Sequence, residues 1–304
     1  MKQTLKSRCL TLLSPKRWLT SQHKVLFLVV AFLMLTANHT LFSKILQLYP
    51  IQRANDAFLL SLTVFFSILT ALFFLVICHG RATRWLLAGY LIIASQAAYY
   101  MDQFGVIIDT VMLDNILQTN PQELAGLLTS DLLLRTLFLG LIPAWWVFKH
   151  TPKVTSMWAE SKAKLRIAAL LIGLLVMTVA PFTADYAGFI REHKITRMYA
   201  NPTFLTYSVI KYITLALAAK PVTTLNKTAE DAAFVQPHAK HELMILVVGE
   251  TARADRFSLN GYHRNTNPML AKQQVLSLKN VTSCGTSTGV SVPCMFSALG
   301  RQDY

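Results

Sequence analysis

The chain has 304 residues, of which 53% are hydrophobic and only 14% charged, and its formal net charge is +14. That composition is too apolar for an ordinary water-soluble domain, so membrane spans are expected. The basic residues lie beside apolar runs and form no basic helix or aromatic-interleaved patch, which excludes nucleic acid as a partner and points to anionic lipid head groups.

Five apolar runs reach, or nearly reach, the roughly 17 to 25 residues that a helix needs to cross a bilayer. They are Val25 to Ser43, Ala57 to Cys78, Trp85 to Met101, Leu132 to Phe148, and Ile167 to about Ala187. The first lies too deep in the chain for a cleaved signal peptide and has no small-residue cleavage site. Lysine and arginine placement predicts the orientation. Lys2, Lys6, Arg8, Lys16, Arg17 and Lys24 precede the first run, and Lys149, Lys153, Lys162, Lys164 and Arg166 lie between the fourth and fifth. Asp102 to Asp131 carries five acidic residues and no basic one. The N-terminus is therefore expected in the cytoplasm, with the acidic loop and everything after the fifth span outside. Trp85, Trp145 and Trp146 then fall at the inner interface, as in an aromatic belt.

After the spans, Arg191 to Lys220 mixes Phe204, Leu205, Tyr207, Val209, Ile210 and Ile213 with Lys211 and hydroxyls, which suits an interfacial helix better than a sixth span. Pro221 to His241 is polar and predicts a linker. The continuous apolar run Leu243 to Val248 predicts a strand buried on both faces of a parallel sheet, with Glu250 just beyond its carboxyl end, where such sheets bind ligands. The predicted division is a five-span domain over 1–190, an interfacial helix and linker over 191–241, and the start of an α/β domain over 242–304. The residues after the strand are too few to close a doubly wound sheet, so the last domain is expected to be incomplete.

Four cysteines are present, and Cys284 and Cys294 are the only close pair in the outside region, where disulfides persist. A pair of metal thiolates is the alternative, but the spacing is not that of a zinc knuckle and no Cys/His partner pair is nearby. Between them lie Thr286, Ser287, Thr288 and Ser291. Hydroxyls cluster in turns for local backbone bonding, and spacing does not choose a nucleophile among the four.

Two strings carry a resemblance: Val-Val-Gly-Glu250-Thr-Ala-Arg-Ala-Asp-Arg-Phe-Ser-Leu-Asn-Gly-Tyr-His-Arg-Asn-Thr-Asn-Pro268, and Asn280-Val-Thr-Ser-Cys-Gly-Thr-Ser-Thr-Gly-Val-Ser-Val-Pro-Cys-Met-Phe296. They resemble the lipid A phosphoethanolamine transferases, a family that includes the mobile colistin resistance enzymes. The resemblance implies an alkaline phosphatase/sulfatase-like catalytic domain behind a five-span anchor in the bacterial inner membrane, with that domain periplasmic. It implies Glu250 as a zinc ligand and Thr288 as both nucleophile and zinc ligand, with Zn2+ as cofactor. It also implies phosphatidylethanolamine as donor, lipid A as acceptor and resistance to polymyxin as the outcome, and a monomer is expected. Family members supply further zinc ligands from a longer C-terminal region, so the chain as given is expected to be inactive alone.

The same resemblance gives Asn115, Thr119 and Glu123, at i, i+4 and i+8, the role of holding the donor. Asn120-Pro121-Gln122-Glu123 also reads as a capping box with proline at the first helical position, which explains Glu123 without substrate and breaks any single helical face. Arg135, near the outer end of the fourth run, is most simply explained as snorkelling to lipid phosphates. Two rivals remain: a related transferase of phosphoglycerol or one acting on another glycan, and a catalytically dead membrane protein that only binds lipid.

Overall fold

The computed structural model describes residues 21–119, 121–152, 156–219, 243–249, 252–297, 299 and 302. These fall into two compact units, the first drawn from Met1–Leu113 and Thr119–Leu217, the second from Asp114–Gln118 and Ala218–Tyr304.

The first unit is a helical bundle. Its elements are α1 (Gln22–Thr36), α2 (His39–Leu48), α3 (Asp56–Ile77), α4 (Thr83–Phe104), α5 (Thr110–Gln118, which runs on into the second unit), α6 (Pro121–Leu127), α7 (Ser130–Arg135), a π-helical stretch Thr136–Leu141, α8 (Ile142–His150), α9 (Met157–Val179), α10 (Thr183–Glu192) and α11 (Thr203–Ala218). Among the described residues, α3, the continuous run Ser130–His150 and the continuous run Met157–Glu192 are long and apolar enough to cross a membrane. The pair α1 and α2, bent by 58° at its break, makes a fourth if counted as one span. The run expected to be the third span is the 22-residue helix α4, but Arg84, Ser95, Gln96 and Asp102 dilute its hydropathy. Its packing explains the dilution: α4 lies against α1, the π stretch and α8. A helix enclosed by other helices need not be uniformly apolar, because its polar side chains meet protein instead of lipid.

Close approach within this bundle depends on Gly140. A Cβ at that position would meet Ser95 Oγ at 2.6 Å and the Ile92 Cα at 3.3 Å. The small residue therefore lets the π stretch lie directly on the α4 backbone, where dispersion contacts hold apposed helices. The break between α1 and α2 is closed by two buried asparagines. Asn38 Nδ2 donates to the carbonyls of Leu33 (2.9 Å) and Asn201 (2.8 Å), and the Asn201 N–H donates back to Asn38 Oδ1 at 2.9 Å. Asn201 Nδ2 reaches the Ala94 carbonyl at 2.8 Å. It also reaches the Ala37 carbonyl at 3.3 Å, so a carbonyl at the break is satisfied by a side-chain amide, as an apolar surrounding requires.

Two charged clusters sit inside the same unit. Asp102 pairs with Arg135 and accepts from the Thr40 N–H (3.2 Å) and the Thr40 hydroxyl, with the two charged side chains only 14% and 20% exposed. Arg135 is therefore bound to protein within the bundle, which corrects the expectation that it snorkels to lipid phosphates; the carboxylate on α4 is the nearer anion. At the other end, Glu160 and Lys164 form an i, i+4 pair at 2.9 Å, buried against Gly80 N–H (3.1 Å to Glu160 Oε2) and the Cys78 carbonyl. Near that end, Lys149 lies over Trp145 at 4.9 Å and Lys162 over Trp158 at 5.0 Å. Such cation and aromatic pairs suit a headgroup layer.

In the second unit Leu243 to Val248 forms no regular element and is exposed, at 86% for Leu243 and 81% for Val247, and no strand occurs among the described residues. The buried parallel strand expected here is not formed. A central strand exists only through ladder bonds to neighbours on both sides, and an apolar run without them stays open. The helices α12 (Pro268–Lys272) and α13 (Thr288–Met295) complete the described elements.

Candidate active site

The segment after residue 250 is shaped by short side chains that bond to the backbone. Thr266 Oγ1 accepts from the Ser258 N–H at 3.0 Å and donates to the Arg256 carbonyl at 2.6 Å, while the Asn267 N–H donates to Ser258 Oγ at 3.1 Å. Arg256 lies over the Tyr262 ring at 5.2 Å. The Arg253 guanidinium donates to both Asp255 oxygens at 3.0 and 2.9 Å, and this holds the exposed carboxyl below its usual range.

The hydroxyl-rich loop is closed by the Cys284–Cys294 disulfide, ten residues apart with Cα atoms separated by 6.3 Å. This decides between the disulfide and a pair of metal thiolates. Inside the loop the four hydroxyls are not equivalent. Ser287 is 7% exposed and is the N-cap of α13, with extended backbone and a carbonyl that accepts from Val290 N–H (3.1 Å) and Ser291 N–H (2.8 Å). Ser291 is half-buried, whereas Thr286 and Thr288 are exposed. Of the two, only Thr288 is helical: it is the first residue of α13, beside backbone N–H groups that have no carbonyl partner within the helix. The positive end of the helix dipole favours a negative oxygen there, whether a developing alkoxide or a phosphoryl group. Within the same unit, a Cβ on Gly289 would meet Gln118 Oε1 at 2.5 Å, so the residue after Thr288 is packed by the Gln118 carboxamide, which also donates to Asp114 at 2.7 Å. Nothing in the sequence marks Gln118; its approach appears only in three dimensions.

The other expected residues are placed as follows. Glu250 lies outside the described residues. Asn115 is half-buried on α5, Thr119 directly follows that helix, and Glu123 is on α6. The helix breaks between Gln118 and Pro121, so the three residues do not share one helical face, and α6 begins at the proline as its lack of an N–H predicts. Asn120, the expected cap, lies outside the described residues. Among the described residues no group of three or more His, Cys, Asp and Glu side chains could hold a metal ion. The donors in view do not make a closed zinc site.

Comparison with known proteins agrees with the loop and the bundle. The family model described as phosphoethanolamine transferase EptA/EptB matches residues 65–217, half of the chain, and the sulfatase model matches 242–304. The chain is 38% identical over 283 residues to phosphatidylethanolamine transferase Mcr-1 of Escherichia coli, covering 91% of this chain and 52% of the relative. It is 34% identical over 291 residues to phosphoethanolamine transferase EptA of Escherichia coli K12, covering 92% and 52%. Among solved structures it is similar to the integral membrane lipooligosaccharide phosphoethanolamine transferase A (EptA) of Neisseria meningitidis, with a TM-score of 0.79 and 30% identity over 92% of this chain and 53% of that one. The chain spans about half the length of the curated relatives it matches. With its apolar bundle, its disulfide-closed loop and a family model over half its length, the chain belongs to the EptA/EptB phosphoethanolamine transferases.

Proposed function

We propose that the full-length protein moves phosphoethanolamine from phosphatidylethanolamine to a phosphate of lipid A through a covalent threonine intermediate, and so lowers sensitivity to polymyxin. The carrying observation is the placement of Thr288: exposed, at the first position of α13, in a loop fixed by the Cys284–Cys294 bridge, while its neighbour Ser287 is buried as the helix cap. In the first step Thr288 Oγ bonds to phosphorus as the bond from phosphorus to the glycerol oxygen breaks, and diacylglycerol leaves with the proton that the threonine gave up. In the second, a lipid A phosphate oxygen attacks the same phosphorus, and Thr288 Oγ leaves and regains a proton. Zinc, with Glu250 and Thr288 among its ligands and the rest from the remainder of the catalytic domain, would lower the hydroxyl pKa and neutralise phosphoryl charge. Asn115, Thr119 and Glu123 hold the donor headgroup. The protein is a monomer with five spans and a cytoplasmic N-terminus, and the sulfatase-like domain faces the periplasm.

The test is mass spectrometry of the full-length protein incubated with phosphatidylethanolamine and no acceptor. The expected result is an adduct of phosphoethanolamine mass on Thr288, absent in Thr288→Ala and retained in Thr286→Ala. An adduct on another residue, or turnover by Thr288→Ala, overturns the assignment.

A further inference from the structure

Gly289 is the second residue of α13, directly after Thr288, and its backbone does not have a positive φ. A helical position with ordinary backbone angles favours alanine over glycine, so the missing side chain has another reason. That reason is space. The three nearest atoms that a Cβ there would meet all belong to the Gln118 carboxamide: Oε1 at 2.5 Å, Nε2 at 3.0 Å and Cδ at 3.2 Å. The contact lies inside the second unit, which combines Asp114–Gln118 of α5 with Ala218–Tyr304. Gln118 Nε2 donates to Asp114 Oδ2 at 2.7 Å, one helical turn back, and this leaves Oε1 on the side of Gly289. The negative end of the carboxamide thus rests against the first turn of α13, whose cap residue Ser287 makes no side-chain hydrogen bond to it. The other glycine near Thr288 is explained from within the loop, since a Cβ at Gly285 would meet Val290 Cγ1 at 2.9 Å. The turn that begins at Thr288 is therefore held from inside by Val290 and the Cys284–Cys294 bridge, and from α5 by Gln118.

We propose that Gln118 is a positioning residue for the transfer reaction: it sets the first turn of α13, and with it the Thr288 oxygen, against the helix that carries Asn115. It acts through the backbone at Gly289 and forms no bond to the transferred group. Gln118 is exposed over most of its surface, so the contact buries little area and adds little to the stability of the fold. Its effect is on orientation, to which a group transfer is far more sensitive, because the attacking oxygen must meet phosphorus at a set distance and angle. The inference rests on the reading of Thr288 as the nucleophile.

The test measures how fast the full-length protein forms the phosphoethanolamine adduct on Thr288 over a range of phosphatidylethanolamine concentrations, together with the thermal midpoint of each variant. Gln118→Ala removes the contact from one side. Gly289→Ala removes it from the other, because the added methyl displaces the end of a flexible side chain while supplying a better helix former. Each is expected to lower the rate at saturating donor by about tenfold, within the roughly hundredfold that a misplacement of about 1 Å can cost. The half-saturating donor concentration and the thermal midpoint are expected to stay as in the wild type. The double variant is expected to be no slower than either single one, since both changes remove the same contact. Losses that multiply in the double variant, a slower rate accompanied by a lower thermal midpoint, or a raised half-saturating concentration at an unchanged rate overturns the proposal. An adduct on a residue other than Thr288 in the wild-type protein overturns the transfer reading and this inference with it. A Thr288 adduct formed equally fast by all variants overturns the role of Gln118 alone.

Discussion

At the scale of single residues, the structure distinguishes side chains that the sequence shows as equal. Four hydroxyls stand between Cys284 and Cys294, and spacing treats them alike. Burial of Ser287 and the helix start at Thr288 separate them. The place of Glu250 after an apolar run is a signal carried by the sequence alone. An arginine in an apolar run such as Arg135 has two explanations, and choosing between them requires knowing that Asp102, 33 residues away, is beside it. That pair gives a prediction. Breaking a mostly buried ion pair leaves one charge without its partner, at a cost of about 3 to 5 kcal/mol. Arg135→Leu or Asp102→Leu alone should therefore lower the thermal midpoint of the detergent-solubilised protein markedly. Replacing both at once should recover much of the loss; equal damage from the double variant would show that the pair is not the stabilising contact.

At the scale of elements, helices were legible and the strand was not. An apolar run of about 20 residues satisfies its backbone within itself, so α3 and α9 could be read from composition alone. Helix α4 was also found, but its polar residues became intelligible only once it was seen enclosed by α1, the π stretch and α8. The run Leu243 to Val248 carries a strand's composition, but hydrogen bonds between strands lie outside any one segment, and the exposed conformation seen here reflects that dependence. The contact of α4 with the π stretch makes Gly140 the position most sensitive to added volume. Gly140→Leu should force the two backbones apart and cost about 1 to 3 kcal/mol, read as a lower unfolding midpoint. Gly173 has nothing within 4 Å of its Cβ position, and Gly173→Leu should be tolerated. Equal effects at the two positions would count against close packing as the reason for the glycine.

At the scale of the whole molecule, the charge pattern predicts which compartment each connection faces. A reporter active only outside the cytoplasm should be active when fused after Asp131 or Tyr304 and silent after His150. Activity after His150 would remove the five-span arrangement. The buried clasp between Asn38 and Asn201 bears on a different matter, the order in which the chain is made. Its two halves are 163 residues apart in sequence. A ribosome has therefore delivered the first bent span, and every span after it, before the partner of Asn38 exists. Until then the asparagine amide has only its local bond to the Leu33 carbonyl, and the bend between α1 and α2 lacks the bonds that tie it to the far end of the chain. The last turn before α11 is in this sense the latch of the assembly, closing from the far end of the chain a joint that was laid down first.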